Sequence, residues 1–264
     1  MKIGIFDSGL GGLIITRALV GALPQYDYAY LGDTANLPYG TRSPELVRAL
    51  ARKGVDWLFR EQGCAIVIIA CNTASIAALR NLQTDYLPAN FPGRKVLGVV
   101  IPTMEAVAAG EFRRVGLIAT QATIKSGVYE QELSKLSSDI IINSLATPLL
   151  APLIENGGDK YAPGIIADYL AGMGGIDALV LGCTHYPYYK NLFAAQLPGV
   201  KIISQDEIIP AALADYLARH GEVAGMLSCG GSRFFGITDV TDAYALQAER
   251  MFGEQVGVEK AWLA

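Results

Sequence analysis

Val67-Ile68-Ile69-Ala70-Cys71-Asn72 and Leu179-Val180-Leu181-Gly182-Cys183-Thr184 are two versions of one pattern: an apolar run, a small residue, a cysteine and a polar side chain. They lie 112 residues apart, and Ile3-Gly4-Ile5-Phe6-Asp7-Ser8 stands at the same distance from Val115-Gly116-Leu117-Ile118-Ala119-Thr120. Two strand-like segments that keep one offset across more than sixty residues mark an internal repeat, which predicts two related halves. Both cysteine-ending runs are apolar throughout rather than alternating, the pattern of parallel strands covered on both faces.

Outward from these segments, strand-like runs alternate with helix-period segments along the whole chain. Lys2–Phe6, Asp27–Leu31, Cys64–Ala70, Val96–Val100, Arg114–Ile118, Asp139–Leu145, Ile176–Leu181, Val200–Ile203 and Met226–Ser228 read as strands, and the alternation predicts parallel α/β architecture. Ser43-Pro44-Glu45 opens a helix with a serine N-cap and a proline at the first position, running towards Gln62 before Gly63 ends it. Asn72 reads as the cap of a second helix running towards Thr84. The expected organisation is two similar parallel-sheet α/β domains related by a pseudo-two-fold axis, one of residues 1–97 with 210–264 and the other of 98–209, with the site in the cleft between them.

A hydrophobic fraction of 52% and a mean hydropathy of +0.32 raise the question of a membrane span. The apolar runs, such as Ala65–Ala70, fall well short of the roughly 18 residues that a spanning helix needs. Asp7 and the glycines after it interrupt any signal-like core near Met1, so a cytoplasmic protein is expected. The net charge of −4 comes with scattered Lys and Arg and no basic stripe, so nucleic acid is not expected as a primary ligand. Four cysteines, Cys64, Cys71, Cys183 and Cys229, form no C-x-x-C pair and read as free thiols rather than disulfides or a metal cage.

Functional residues of a parallel sheet gather beyond the carboxyl ends of its strands. Asp7, Ser8, Cys71, Asn72, Thr120, Cys183, Thr184 and His185 all fall there. If the halves face each other across the repeat axis, Cys71 and Cys183 become equivalent groups on opposite walls. Inverting an α-carbon without a cofactor needs a base on one face and an acid on the other, and two thiols, one ionised, can exchange those roles. A thiol is suited to this because a helix start or a neighbouring cation lowers its pKa. Cys64 and Cys229 read as small buried hydrophobes, the commoner fate of a free cysteine. One of only two histidines follows Cys183-Thr184 directly, which favours a role at the site, and Asp7 stands where the repeat has Ala119, so the two thiols should be assisted unequally.

Asp7-Ser8-Gly9-Leu10-Gly11-Gly12, Gly32-Asp33-Thr34 with Pro38-Tyr39-Gly40, Ala70-Cys71-Asn72-Thr73-Ala74-Ser75 and Gly182-Cys183-Thr184-His185-Tyr186-Pro187 resemble, in order, the signature segments of the glutamate racemases of the aspartate/glutamate racemase superfamily. The resemblance implies cofactor-independent, two-cysteine interconversion of L- and D-glutamate, D-glutamate for peptidoglycan, and a homodimer. It implies that Asp7 assists Cys71 and His185 assists Cys183. Ser8, Pro38, Tyr39, Gly40, Asn72, Thr73, Thr120, Thr123 and Thr184 would line the substrate site, with Asp33 and Glu155 as further acidic residues. The chain departs from the family pattern at Ile101-Pro102-Thr103, Ala146-Thr147-Pro148, Ser204-Gln205 and Ser228-Cys229-Gly230-Gly231. Aspartate or broader amino-acid racemisation is the alternative reading, and a non-catalytic amino-acid-binding paralogue is another. Gly9-Leu10-Gly11 with Asp33 imitates a dinucleotide fingerprint, but Ile14 stands where that pattern requires glycine. No lysine occupies the signature strand ends, which disfavours pyridoxal phosphate.

Overall fold

Ten strands form two wholly parallel sheets in the computed structural model, which describes residues 1–263. They are β1 (Lys2–Asp7), β2 (Tyr28–Gly32), β3 (Cys64–Ile69), β4 (Lys95–Gly98), β5 (Arg114–Ala119), β6 (Ile141–Ala146), β7 (Ala178–Gly182), β8 (Lys201–Ile203), β9 (Arg233–Ile237) and β10 (Glu259–Lys260). The first sheet runs β10-β9-β2-β1-β3-β4 and the second β6-β5-β7-β8. Within the first, β2-β1-β3-β4 repeats the order of the whole second sheet. The register repeats as well: Gly4 lies opposite Val67 as Gly116 lies opposite Leu179, and Phe6 opposite Ile69 as Ile118 lies opposite Leu181. Each residue and its counterpart differ by the 112 residues of the sequence repeat, so the repeat extends to which residues pair.

Successive side chains of a strand point to opposite faces, and both faces are covered here. On β3, Ile66 and Ile68 join one core with Ile3 and Ile5, while Val67 and Ile69 join another with Phe6, Val55 and Phe59. On β7, Leu179 and Leu181 share the core that Ile66 joins, whereas Val180 packs with Leu117, Met104 and Leu133. One apolar core therefore runs through both halves, and each sheet has a second core on its far face. The helix Gly12–Ala22 packs in the shared core against the helix Gln205–Arg219, burying Leu13, Ile15 and Leu19 against Ile209 and Leu213.

Three local expectations need correction. Met226–Ser228 is not a strand. Its Met226 and Leu227 N–H groups turn back to the Val223 and Ala224 carbonyls, and Ser228 makes isolated bonds to Met1 and Asp27 with no ladder; the strand that follows is β9 instead. Cys229, in the next loop, is exposed rather than a buried hydrophobe. The helix Pro44–Arg60 begins as expected, with Ser43 Oγ accepting from the Leu46 N–H. The helix Asn72–Asn81 is capped by Cys71 and not by Asn72: the Ala74 N–H points at Cys71 Sγ, 3.4 Å away. Among the described residues, no helix is long and apolar enough to cross a membrane.

Candidate active site

The carboxyl ends of both sheets open into one cleft of about 690 Å³, mouth included. Ser8 after β1, the loop Pro38-Tyr39-Gly40 after β2, and Cys71, Asn72 and Thr73 after β3 line it from the first sheet; Thr120 after β5 and Cys183, Thr184 and His185 after β7 line it from the second. Glu155, at the end of the helix Leu150–Glu155, also reaches the wall. Asp7, Asp33 and Thr123 stand behind it. Asp33 is fully buried and accepts from the Tyr39 hydroxyl at 2.6 Å and from Thr238 Oγ1 at 2.8 Å, so it fixes the loop that carries Tyr39 and Gly40. Thr123 closes a hydroxyl triangle with Thr73 and Thr120, whose oxygens are 3.0 Å apart, tying the two walls together.

The surroundings of the two cysteines are opposite in charge. Cys71 sits near Asp7. Burial pushes its thiol up to about 12, the Asp7 charge adds to this, and contacts from Ser8 and the Ala74 N–H only partly offset it. The helix start lowers this pKa too little to leave it below the ordinary thiol value, contrary to expectation, because loss of water outweighs one N–H. Cys183 has no α-helix at its back; a tight turn, Tyr186–Tyr189, follows it. Its neighbour is His185, with Nδ1 3.8 Å from Sγ. Burial alone lowers the imidazole pKa, but the Cys183 sulfur and the Glu155 carboxylate more than reverse this, holding it well above the usual histidine value. Glu155 Oε1 lies 3.0 Å from His185 Nε2, yet off the N–H axis, so the contact is an ion pair and not a hydrogen bond.

Asp7 connects the two sides. Its Oδ2 accepts from the Gly9 N–H at 3.0 Å and its buried Oδ1 has no partner. Burial raises its carboxyl pKa, against the pull of the His185 charge. Two glycines make this crowding possible: a Cβ on Gly11 would stand 2.6 Å from His185 Nδ1 and from Thr184 Oγ1, and one on Gly12 would stand 2.6 Å from the Asp7 Cβ. Behind Cys71, Asn72 forms a reciprocal amide pair with Gln205, at 2.9 and 2.8 Å, and accepts from the Tyr129 hydroxyl at 2.6 Å. All three side chains are buried.

The cleft thus offers two thiols from matched strand ends, one with an acidic and one with a basic neighbour, among uncharged donors. Among the described residues, no three His, Cys, Asp or Glu side chains converge as a metal site. The profile of the Asp/Glu/Hydantoin racemase family matches residues 4–209, a stretch that holds both cysteines, Asp7, Glu155 and His185. The chain belongs to this family. It is 40% identical to the glutamate racemase of Thermus thermophilus over 259 residues, covering 96% of this chain and 93% of that protein, and 39% identical to that of Aquifex aeolicus over 225 residues, covering 84% and 85%. In structure it resembles a glutamate racemase isoform from Bacillus anthracis, with a TM-score of 0.88 at 31% identity over 99% of this chain and 97% of that one. The glutamate racemase of Francisella tularensis, solved in complex with D-glutamate, gives 0.87 at 30% identity with the same coverage. The chain is accordingly an amino-acid racemase, an isomerase.

The racemase cleft also has residues that sequence reasoning did not put there: Thr147, Pro148, Ala151, Pro152 and Tyr186 among them. Thr147 directly follows β6, accepts from or donates to the Tyr186 hydroxyl at 2.7 Å, and bonds through its N–H to the Ala119 carbonyl at 2.9 Å. The rule that found Cys71 and Cys183, a polar residue just past a strand end, applies to Thr147 equally and was the available signal.

Proposed function

We propose that this racemase interconverts L- and D-glutamate without a cofactor, with Cys71 and Cys183 exchanging the α-proton on opposite faces. The observation that carries the reading is the placement of the two sulfurs at repeat-matched strand ends of one cleft. For the enantiomer whose proton Cys183 removes, the thiolate beside the imidazolium takes the proton and the Cys71 thiol delivers another to the far face; the reverse reaction exchanges the roles. Asp7 makes the Cys71 thiolate a stronger base by opposing its charge. His185, oriented by Glu155, stabilises charge at Cys183.

The substrate carries two carboxylates, and among the described residues no Lys or Arg lines the cleft. Ser8, Asn72, Thr73, Thr120 and Thr184 supply neutral donors instead, which hold an anion without locking one cysteine as thiolate. Binding of D-glutamate by the Francisella relative supports glutamate over other amino acids. We further read residues 1–97 with 210–264 and residues 98–209 as two pseudo-two-fold domains, in keeping with the membership of the two sheets. D-glutamate supply to peptidoglycan, a cytoplasmic location and a homodimer follow from the family resemblance.

The test is exchange of the α-proton in heavy water, followed by NMR, with glutamate and aspartate assayed separately. Wild-type protein should wash deuterium into glutamate and invert it. Exchange with aspartate alone would transfer the reading to the aspartate racemases, and exchange with neither would overturn it. Cys71→Ser and Cys183→Ser should each lower racemisation by about 10²- to 10⁴-fold, the worth of a positioned acid or base; full activity in either variant rules out the two-thiol mechanism.

A further inference from the structure

The helix Asp242–Phe252 follows β9 of the first sheet and packs on the helix Gly12–Ala22, yet its polar contacts end on the Cys183 side of the cleft. Gln247, only 8% exposed, donates from Nε2 to the carbonyl of Ile154 at 3.1 Å. Ile154 is fully buried and immediately precedes Glu155. One turn on, Arg250 binds both the Asp159 carboxylate and the Tyr188 hydroxyl, the latter through Nε at 2.7 Å. The Tyr189 hydroxyl also donates to Asp159, at 2.8 Å, and the Tyr188 N–H donates to the His185 carbonyl at 3.1 Å.

These contacts flank a single pair of groups. Gln247 holds the backbone beside Glu155, and Arg250 holds the turn that begins at His185. The two side chains are three positions apart and so share one helix face. Among the described residues, no hydrogen bond or ion pair runs from this helix to Asp7 or Cys71. The ion pair it frames is 3.0 Å long but off-axis, so a displacement of a few tenths of an ångström in either flank alters how well Glu155 supports the imidazolium.

We infer that Gln247 and Arg250 are positioning residues for Glu155 and His185, through which the last long helix of the first sheet governs proton transfer at Cys183 and not at Cys71. The inference rests on the proposed role of His185 beside Cys183. Its consequence is a one-sided catalytic defect. Slowing only the Cys183 step makes removal of the α-proton limiting for the enantiomer that Cys183 deprotonates, and reprotonation limiting for the other.

Gln247→Leu and Arg250→Met, with Arg250→Lys as a milder change that keeps the charge but loses the two-partner fork, test this in the full-length protein. Each should lower kcat/KM for glutamate by about ten- to a hundredfold, the scale of a small misplacement of a supporting group. The alkaline limb of the pH profile should move to lower pH as His185 loses support. With α-deuterated substrates, the isotope effect on kcat/KM should rise for one enantiomer and fall for the other. In a Glu155→Gln background Gln247→Leu, which acts through Glu155, should change nothing further. A Gln247→Leu loss that multiplies with Glu155→Gln, or a loss at either position with unmoved pH profile and equal isotope effects, reduces these residues to scaffold and overturns the inference. A Glu155→Gln protein of full activity would overturn instead the His185 reading on which it rests.

Discussion

A fully buried carboxyl group with an unpaired oxygen destabilises a fold once it ionises, and Asp7 is such a group. Its raised pKa fixes the sign of the effect. Below the ordinary carboxyl range the folded and unfolded chains both hold the proton and Asp7 costs nothing; as pH rises from that range to the raised folded pKa the unfolded chain gives its proton up first and stability falls, levelling off once the folded chain has ionised too. Asp7→Asn removes that charge and keeps the acceptor for Gly9, so at pH 7 it should stabilise the protein by about 1–3 kcal/mol, the scale of an unmet buried polar group. Thermal denaturation from pH 3 to pH 8 would register it as a difference that grows with pH, while racemisation falls. A variant no more stable than wild type at pH 7 would mean that Asp7 finds compensation from the His185 charge. At this scale the sequence exposed the strand-end residues well, because polar groups after apolar runs stand out. It could not separate the lining residues from Asp33 and Thr123 behind them, since which way a loop residue faces depends on partners such as Thr238 and Thr73, distant in sequence.

Among the elements, the start of the helix Gly12–Ala22 matters most to the site. Gly11 has an ordinary backbone conformation, and its small size is what the site requires: a Cβ there would displace His185 and Thr184 together. Gly11→Ala should therefore cost about 10²-fold in kcat/KM, as expected for a displacement near 1 Å at a reacting group, with little change in the circular dichroism spectrum. An alanine variant of normal activity would show that His185 can give way at no cost. The strands that run apolar on both faces were legible because burial imposes one residue class along their whole length. Arg233–Ile237 was not: Ser228–Ser232 before it and Gly236 within it have the look of a loop, and its place comes from pairing with β2, about two hundred residues away. β10 is two exposed charged residues and carries no pattern at all.

Across the whole molecule, the halves are joined at the site by the amide pair of Asn72 and Gln205, one beside Cys71 and the other opening the helix Gln205–Arg219. The departure at Ser204-Gln205 from the family pattern has this structural use. Gln205→Leu leaves the Asn72 amide without its reciprocal partner and should destabilise the protein by about 1–3 kcal/mol in urea unfolding, with a fall in kcat/KM because Asn72 adjoins the thiol. Unchanged stability would mean that water replaces the amide. The repeat predicted this pairing of halves but not its chemistry, since Gln205 lies outside every repeated segment.

The return of β9 to the first sheet has a consequence for synthesis of the chain. β2 pairs with β1 on one side and with β9 on the other, from Tyr28 opposite Arg233 to Gly32 opposite Ile237. At a translation rate of about 5–20 residues per second, β2 waits on the order of ten to forty seconds with one edge open. Tyr28–Gly32 is wholly buried in the finished protein, so during that interval a bare apolar edge is presented to other nascent chains, the arrangement that invites pairing between molecules. The strands of the second sheet all lie between Arg114 and Ile203 and can close as soon as they emerge from the ribosome. The half made first is the half finished last.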